Sequence, residues 1–328
     1  MAIGTKMNLL EVSKRVDAGG KVQAVAEVLT QTNEILLDLP FEECNDGSGH
    51  IGTTRSGLPT VTWTQLNYGV QPSRSTVVQI KDSCGMLEAY SEVDKRVIER
   101  AKNPQEIRFQ EDVAFLEAMN QEMASTLFYG NVATDTKKFT GLAPRFNSTS
   151  AASGSNIVSA GGSDSGGMTS IWLCGWGPHS GYALYPQNSK AGFTHEDKGQ
   201  VTLEDTNHGK YEGYRSHYKW DIGFHVRDWR YFVRIANIDV SALTKNAATG
   251  ADLVDLMAQA TELLPNLNLV NPVFYCNQTV KSYLRRQLAN KSNLALSLDQ
   301  AAGKTVMSFD SIPVRRCDKL VNTEATVA

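Results

Sequence analysis

Apolar and polar positions mark one element more clearly than any other. Between residues 104 and 129, Phe109, Val113, Leu116, Met123 and Leu127 recur at spacings of three, four and seven, the signature of one apolar helix face. Asn103 stands at the N-cap, Pro104 suits the first helical position, and Glu106 completes a capping box. Gly130 follows, where a left-handed cap favours glycine. Such a helix is a rod of roughly 39 Å. A shorter helix is predicted over 91–101. Another is predicted over 251–264, with Leu253, Leu256, Met257, Ala260 and Leu264 on one face and Pro265 at its end. A short strand over 273–276 runs into Asn277, the predicted N-cap of a helix reaching 288.

Period-two patterns mark the strands. Residues 60–64 alternate, with Val61 and Trp63 on one face, and 75–80 are rich in valine. Asn67-Tyr68-Gly69 supplies a turn between them. The result is a long hairpin with few core-forming residues, which cannot hold itself up in water and is expected to lie on something else. Residues 46–57 and 148–169, rich in Gly, Ser and Thr, read as loops. The stretch 170–240 is β-rich. Ile222, Phe224 and Val226 alternate, as do Tyr231, Val233 and Ile235, which predicts a hairpin around Arg227-Asp228. The tail over 305–327 returns to strands around Ser311-Ile312-Pro313. Residues 1–45 read as an arm, apolar and partly helical or extended over 22–39 before Pro40.

Composition narrows the class without supplying a function. The chain has 328 residues, 41% hydrophobic and 20% charged, with a formal net charge of −3. At roughly 150 residues per domain, that predicts two domains or one elaborate one. The near-neutral balance argues against a dedicated nucleic-acid binder. No apolar run approaches the roughly 18 residues of a membrane span, so no membrane partner is expected. The N-terminus lacks the pattern of a secretory signal. The five cysteines, Cys44, Cys84, Cys174, Cys276 and Cys317, show no CxxC spacing, and all five are expected as reduced thiols.

Candidate chemistry is sparse. Gly47, Gly49 and Gly52 spell GxGxxG, but no strand-to-helix pattern surrounds them, so they read as a flexible loop rather than a dinucleotide site. None of the six histidines shows a metal-binding spacing, and there is no GxSxG elbow. His195-Glu196-Asp197 reads as a polar loop, and His217 and His225 as packing residues of the β region. The acids Glu196, Asp197, Glu204 and Asp205 read as surface charge rather than a glycosidase pair. Trp172, Trp176, Trp220 and Trp229, with Tyr182, Tyr185, Tyr211, Tyr214 and Tyr218, suit sheet core and subunit interface better than a sugar- or base-stacking platform. Arg215, Arg227, Arg230 and Arg234, balanced by Asp221 and Asp228, read as interface ion pairs. No catalytic residue, cofactor or metal is expected.

The order of elements, with particular strings in it, resembles the major capsid proteins of tailed bacteriophages, which share the Hong Kong 97-type fold. LEAYSEVDK (87–95) leads into a helix that looks like the family's spine helix. FYGN (128–131) and FTGLAPRF (139–146) resemble the hairpin after the spine. PVFYCNQTVKSYLRRQ (272–287) resembles the strand-to-helix step of the axial domain, and FDSIPVRRCDKLVNTEATV (309–327) the closing strands. Within the family, the chain resembles subunits of the epsilon15 type from short-tailed phages.

The resemblance implies an α+β fold. It comprises an N-terminal arm (1–45), an extended loop (46–85), a peripheral domain (86–240 and 305–328, with a β-rich insertion around 150–240) and an axial domain (241–304). It implies a non-enzymatic subunit that assembles with itself into pentamers and hexamers. The icosahedral shell would enclose double-stranded DNA without reading its sequence. A separate scaffolding protein, a portal protein and a cement or decoration protein are the expected partners. The virion is the expected location, after folding and assembly in the bacterial host cytoplasm. Trp63, Leu66, Tyr68 and Arg74 on the loop, with Arg227 and Arg230, are the interface candidates. Some members weld their shells through a loop lysine, but no lysine occurs between Lys21 and Lys81, so no such crosslink is expected. The alternatives are a carbohydrate-binding or carbohydrate-active β protein and a cellular nanocompartment shell of the same fold.

Overall fold

The computed structural model describes residues 31–328 apart from 48, 101–102, 164–165, 206, 246, 248–249, 291–295 and 302–303. Most of the expected arm therefore lies outside the described residues. Its end forms one helical turn, Ile35–Asp38, and a short strand, Phe41–Glu43.

Two sheets make the body. The central, seven-stranded sheet runs Leu296–Ala301, Lys304–Phe309, Ile312–Arg316, Asn271–Cys276, Met168–Trp176, Phe232–Asp239 and Ile157–Ser159. Met168–Trp176 lies inside it and is buried at every position, as a strand covered on both faces must be. Helix Leu253–Glu262 packs against Phe232–Asp239 and against helix Gln278–Asn290. The Asn277 cap forms as predicted, its Oδ1 accepting the Val280 N–H at 2.9 Å. The outer, five-stranded sheet pairs Phe41–Glu43, Gly181–Tyr185, Lys210–Val226 and Cys84–Asp94, with Thr194–Glu204 also on Lys210–Val226. Both sheets and the long helix share one continuous apolar core. The division expected at residue 240 cuts through the central sheet, because strands from 157–239 pair with those from 271–316.

The long helix spans Pro104–Tyr129, as predicted. Its expected stripe holds only toward the C-terminus. Met119, Met123, Ala124, Leu127 and Phe128 are buried, whereas Phe109 is 67% exposed and Leu116 is also exposed. The N-terminal half instead lies beside the outer sheet, tied by Arg108 to Asp197 at 2.7 Å and by the Tyr218 hydroxyl to Asp112. Asn103 does not cap a backbone N–H; its amide donates to Glu106 Oε2 at 3.0 Å. Gly130 is not left-handed (φ −54°). It is needed for close approach, since a Cβ there would lie 2.5 Å from the Phe139 carbonyl oxygen.

Other expectations change for physical reasons. Residues 91–94 continue strand Cys84–Asp94, and among the described residues of the expected helix only Lys95–Ile98 is helical, capped by Asp94 on the Arg96 N–H. The first strand of the long hairpin is His50–Gly57, in the stretch read as loop, and it pairs with Thr76–Asp82. Residues 60–64 form no ladder; Pro59 and Pro72, one on each limb, withhold donors there. The 148–169 stretch contains a turn of helix, Ala152–Asn156, and strand Ile157–Ser159. His195-Glu196-Asp197 lies in strand Thr194–Glu204. The hairpin at Arg227-Asp228 does not form. Ser180 carbonyl oxygen accepts both N–H groups, at 2.8 and 3.0 Å, and the turn Trp229–Tyr231 carries the chain from the outer sheet to the central one.

Candidate functional site

The extended loop leaves the body as a two-stranded ribbon and ends in an irregular tip. Every residue from 58 to 74 is exposed. Trp63 is 103% exposed, Leu66 93% and Tyr68 75%, with Leu58, Val61 and Val70 beside them in sequence and also exposed. The tip is nonetheless shaped. Asn67 takes φ 70° at the predicted turn, and the Tyr68 N–H donates to the Gln65 carbonyl at 3.2 Å. Thr64 Oγ1 donates to the Tyr68 carbonyl at 3.0 Å, and Ser73 Oγ to the Thr60 carbonyl at 2.8 Å. Burying one such large side chain is worth about 1.5–3 kcal/mol. The tip therefore presents a series of apolar side chains spaced along residues 58–70 whose burial the other described residues do not supply.

The root is the opposite. Asp82, at the end of the returning strand, takes a hydrogen bond from His225 Nδ1 at 2.7 Å and from Arg145 Nη2 at 2.7 Å. Burial pushes the Asp82 carboxyl up, but the His225 and Arg145 contacts outweigh it and hold the group below its ordinary range. His50 Nε2 shares a hydrogen bond with the Tyr182 hydroxyl at 3.1 Å. Burial first, and His225 second, lower the His50 pKa. Asn45 clamps Ile51 through both its backbone groups, each at 2.8 Å. Lys81, the first lysine after Lys21, pairs with Asp46 at 2.7 Å.

The GxGxxG glycines belong to this root. A Cβ on Gly52 would lie 2.4 Å from the His225 ring, and one on Gly49 would lie 2.4 Å from the Asp82 carbonyl oxygen. Gly52 lets the ribbon seat on the body, and Gly49 lets the two limbs of the ribbon approach at its base. That motif was the only signal in the sequence for a root otherwise built from His50, Asp82, Arg145, Tyr182 and His225, which are far apart along the chain.

The six interface candidates fall into two places. Trp63, Leu66, Tyr68 and Arg74 lie on the tip, all exposed. Arg227 and Arg230 lie on the body, lining a cavity of about 540 Å³ with Thr53–Leu58, His179 and Trp229. Arg230 is paired within its own turn, to Asp228 at 2.7 Å. Arg227 donates to the Pro178 carbonyl at 3.3 Å, and its own carbonyl accepts from Thr54 Oγ1 at 3.1 Å.

Arg234 is not an interface residue. It is buried, pairs with Glu324 at 2.8 Å, donates to Ser170 Oγ and to the Phe146 carbonyl, and lies 5.2 Å from the Trp172 ring centre. The Ser170 and Tyr129 hydroxyls also donate to Glu324. Burial and the Glu324 charge push the Tyr129 phenol far up. Arg215 pairs with Glu92 at 2.6 Å and Lys219 with Asp221 at 2.8 Å, all within the outer sheet. The aromatic middle third is largely core: Trp172, Trp176, Tyr182 and Tyr218 are buried, which leaves no stacking platform on those four rings. Among the described residues, no three His, Cys, Asp or Glu side chains gather as a metal site, and no helix is long and apolar enough to cross a membrane.

A long spine-like helix, two interleaved sheets and an anchored strap with a bare apolar tip define a shell subunit of the Hong Kong 97-type fold. Comparison with known proteins carries this further. Residues 17–328 match the family model described as "Major capsid protein GP7". A chain of the bacteriophage epsilon15 structure is 35% identical, with a TM-score of 0.77 over 100% of this chain and 99% of that one. A chain of the bacteriophage JBD30 capsid shares the fold at 10% identity, with a TM-score of 0.52 over 91% of this chain and 96% of that one. No curated protein matches. The chain belongs to the major capsid protein GP7 family. It is a structural protein of the virion that forms the capsid shell.

Proposed function

We propose that this subunit assembles with itself into pentamers and hexamers that enclose double-stranded DNA without sequence-specific contacts, in the cytoplasm of a bacterial host. The observation that carries the reading is the contrast within the extended loop, an ordered root beneath a tip of exposed Leu58, Val61, Trp63, Leu66, Tyr68 and Val70. A strap of that kind gains its burial by lying on a neighbouring copy. Heterologous contacts repeated around a ring then close into a shell. Trp63, Leu66, Tyr68 and Arg74 act at the tip of this contact, and Arg227 and Arg230 where the loop meets the body.

Residues 1–45 serve as the arm and 46–85 as the extended loop. The outer sheet and long helix serve as the peripheral domain. The axial domain takes residues 241–304 together with the central-sheet strands they pair with. A scaffolding protein, a portal protein and a cement protein are the partners that family membership supports.

Electron microscopy of the purified protein, alone and co-expressed with its neighbouring genes, tests the assembly. Shells or five- and six-membered rings are expected, and a uniformly monomeric protein under both conditions contradicts the reading. Nuclease-protected DNA is expected inside particles taken from infected cells; protein cargo in its place would make the shell a nanocompartment.

A further inference from the structure

Two cysteines bracket the extended loop, and the fold brings them together. Cys44 Sγ and Cys84 Sγ lie 3.3 Å apart although 40 positions separate them in sequence. Neighbouring strands hold both. The Cys44 N–H donates to the Tyr185 carbonyl at 2.9 Å, and Cys84 stands opposite Gly223, which also faces Leu184. With Tyr182 and Leu184 the sulphurs form a small apolar cluster outside the main core. Gly223 makes the room, since a Cβ there would press to 3.0 Å from Cys84 Sγ. The other three thiols lie away from this pair, in and beside the central sheet, where the Cys317 N–H donates to the Cys276 carbonyl at 2.9 Å. Cys317 donates to Asn33 Oδ1 at 3.3 Å, Cys276 to the Arg315 carbonyl at 3.8 Å, and Cys174 is fully buried.

We propose that Cys44 and Cys84 form a redox staple, two thiols in a reducing compartment and one disulfide in an oxidising one, closing the extended loop into a covalent ring. A disulfide needs the sulphurs at about 2.05 Å, a closing movement of little more than 1 Å. The oxidant is a small disulfide of the glutathione class. One cysteine thiolate attacks it and expels a small thiolate; the second cysteine thiolate then displaces the other small thiol from the mixed disulfide. In balance, two protein thiols and one small disulfide yield one protein disulfide and two small thiols, with two electrons passing to the reagent.

Burial pushes the Cys84 thiol up to about 12 and raises Cys44 as well. Both are protonated at neutral pH, so exchange is slow there and quickens about tenfold per pH unit. The pair is thus kept open while the chain folds in a reducing cell. A particle that leaves its host, on the function proposed above, enters the surroundings in which disulfides persist. Given that oxidant, formation of the bond does not depend on the function proposed above.

The test uses the purified full-length protein, prepared under reducing conditions and then held with oxidised glutathione at pH 8.5. Peptide mapping without reductant is expected to find Cys44 joined to Cys84 in most chains, with Cys174, Cys276 and Cys317 still open to alkylation after denaturation. Chymotrypsin, cutting beside Trp63, Leu66 or Tyr68, is expected to give a chain that stays whole on a non-reducing gel and splits when reduced. Cys84→Ser removes both results and Cys317→Ser removes neither. Should Cys84→Ser fail to fold, mapping of the natural chain decides alone. Full alkylation of Cys44 and Cys84 after oxidation, or their pairing with other cysteines, overturns the proposal.

Discussion

Two tryptophans of this chain meet opposite fates. Trp172 lies in the centre of the seven-stranded sheet, fully buried, with the Arg234 guanidinium over its ring and Glu324 closing the charge. Trp63 stands at the tip of the extended loop, fully exposed, on a limb that the described chain leaves uncovered. Side-chain type does not separate them; topology does. Strands Phe232–Asp239 and Asn271–Cys276 flank Trp172, and Phe128 and Phe146 pack against its ring, whereas the tip is carried away from the body by ribbon strands of eight and seven residues, about 23–26 Å at roughly 3.3 Å per residue. One region is completed by its own chain. The other, on the function proposed above, is a surface for a second copy to complete.

The largest break in the contrast comes from the buried centre. Glu324→Ala leaves Arg234 buried without its partner and is expected to cost about 3–5 kcal/mol, read by urea unfolding of dissociated subunits. Trp63→Ala in the same assay is expected to change stability by no more than about 0.5 kcal/mol. In assembly the order reverses. Trp63→Ala is expected to weaken each loop contact by about 1.5–3 kcal/mol, seen as a raised critical concentration for shells by light scattering.

The root sharpens the contrast, because it is the hinge between the two environments. Gly52→Ala drives a Cβ into the His225 ring and is expected to cost about 1–3 kcal/mol, with faster proteolysis of the ribbon. The smallest expected effect is a pH slope. The depressed Asp82 pKa contributes stability that is full above its unfolded value near 3.9 and lost as pH falls through the lower folded value. His50, also depressed, stays neutral while the unfolded chain takes up a proton below about 6.5, so stability declines from there downward. Ribbon proteolysis is expected to quicken from pH 7.5 to 5.5, and His50→Gln to flatten that rise.

Legibility in the sequence follows how local each signal is. The bounds of the long helix, the Asn277 cap, the helix ended by Pro265 and the tail strands are written in adjacent residues, and the structure has them. The turn at Asn67 and the exposed apolar tip were readable for the same reason. What failed depends on distant partners. His50–Gly57 looks like loop because its strand character comes from a ladder with Thr76–Asp82. The chain crosses between sheets at Arg227 because Ser180, far back in sequence, takes both N–H groups. Half of the long helix's apolar face stays open because the outer sheet meets that half through Arg108 and Asp112. Glu324 gives no local hint of its partnership with Arg234, and the meeting of Cys44 with Cys84 requires the whole outer sheet.

The central claim is that the loop tip, unlike the core, gains its burial from a neighbouring copy. Hydroxyl-radical footprinting of Trp63 and Trp172, in dissociated subunits and in assembled shells, tests it most directly. Trp63 is expected to be oxidised rapidly in subunits and strongly protected in shells, while Trp172 is protected in both. Equal reactivity of Trp63 in the two states would contradict the account.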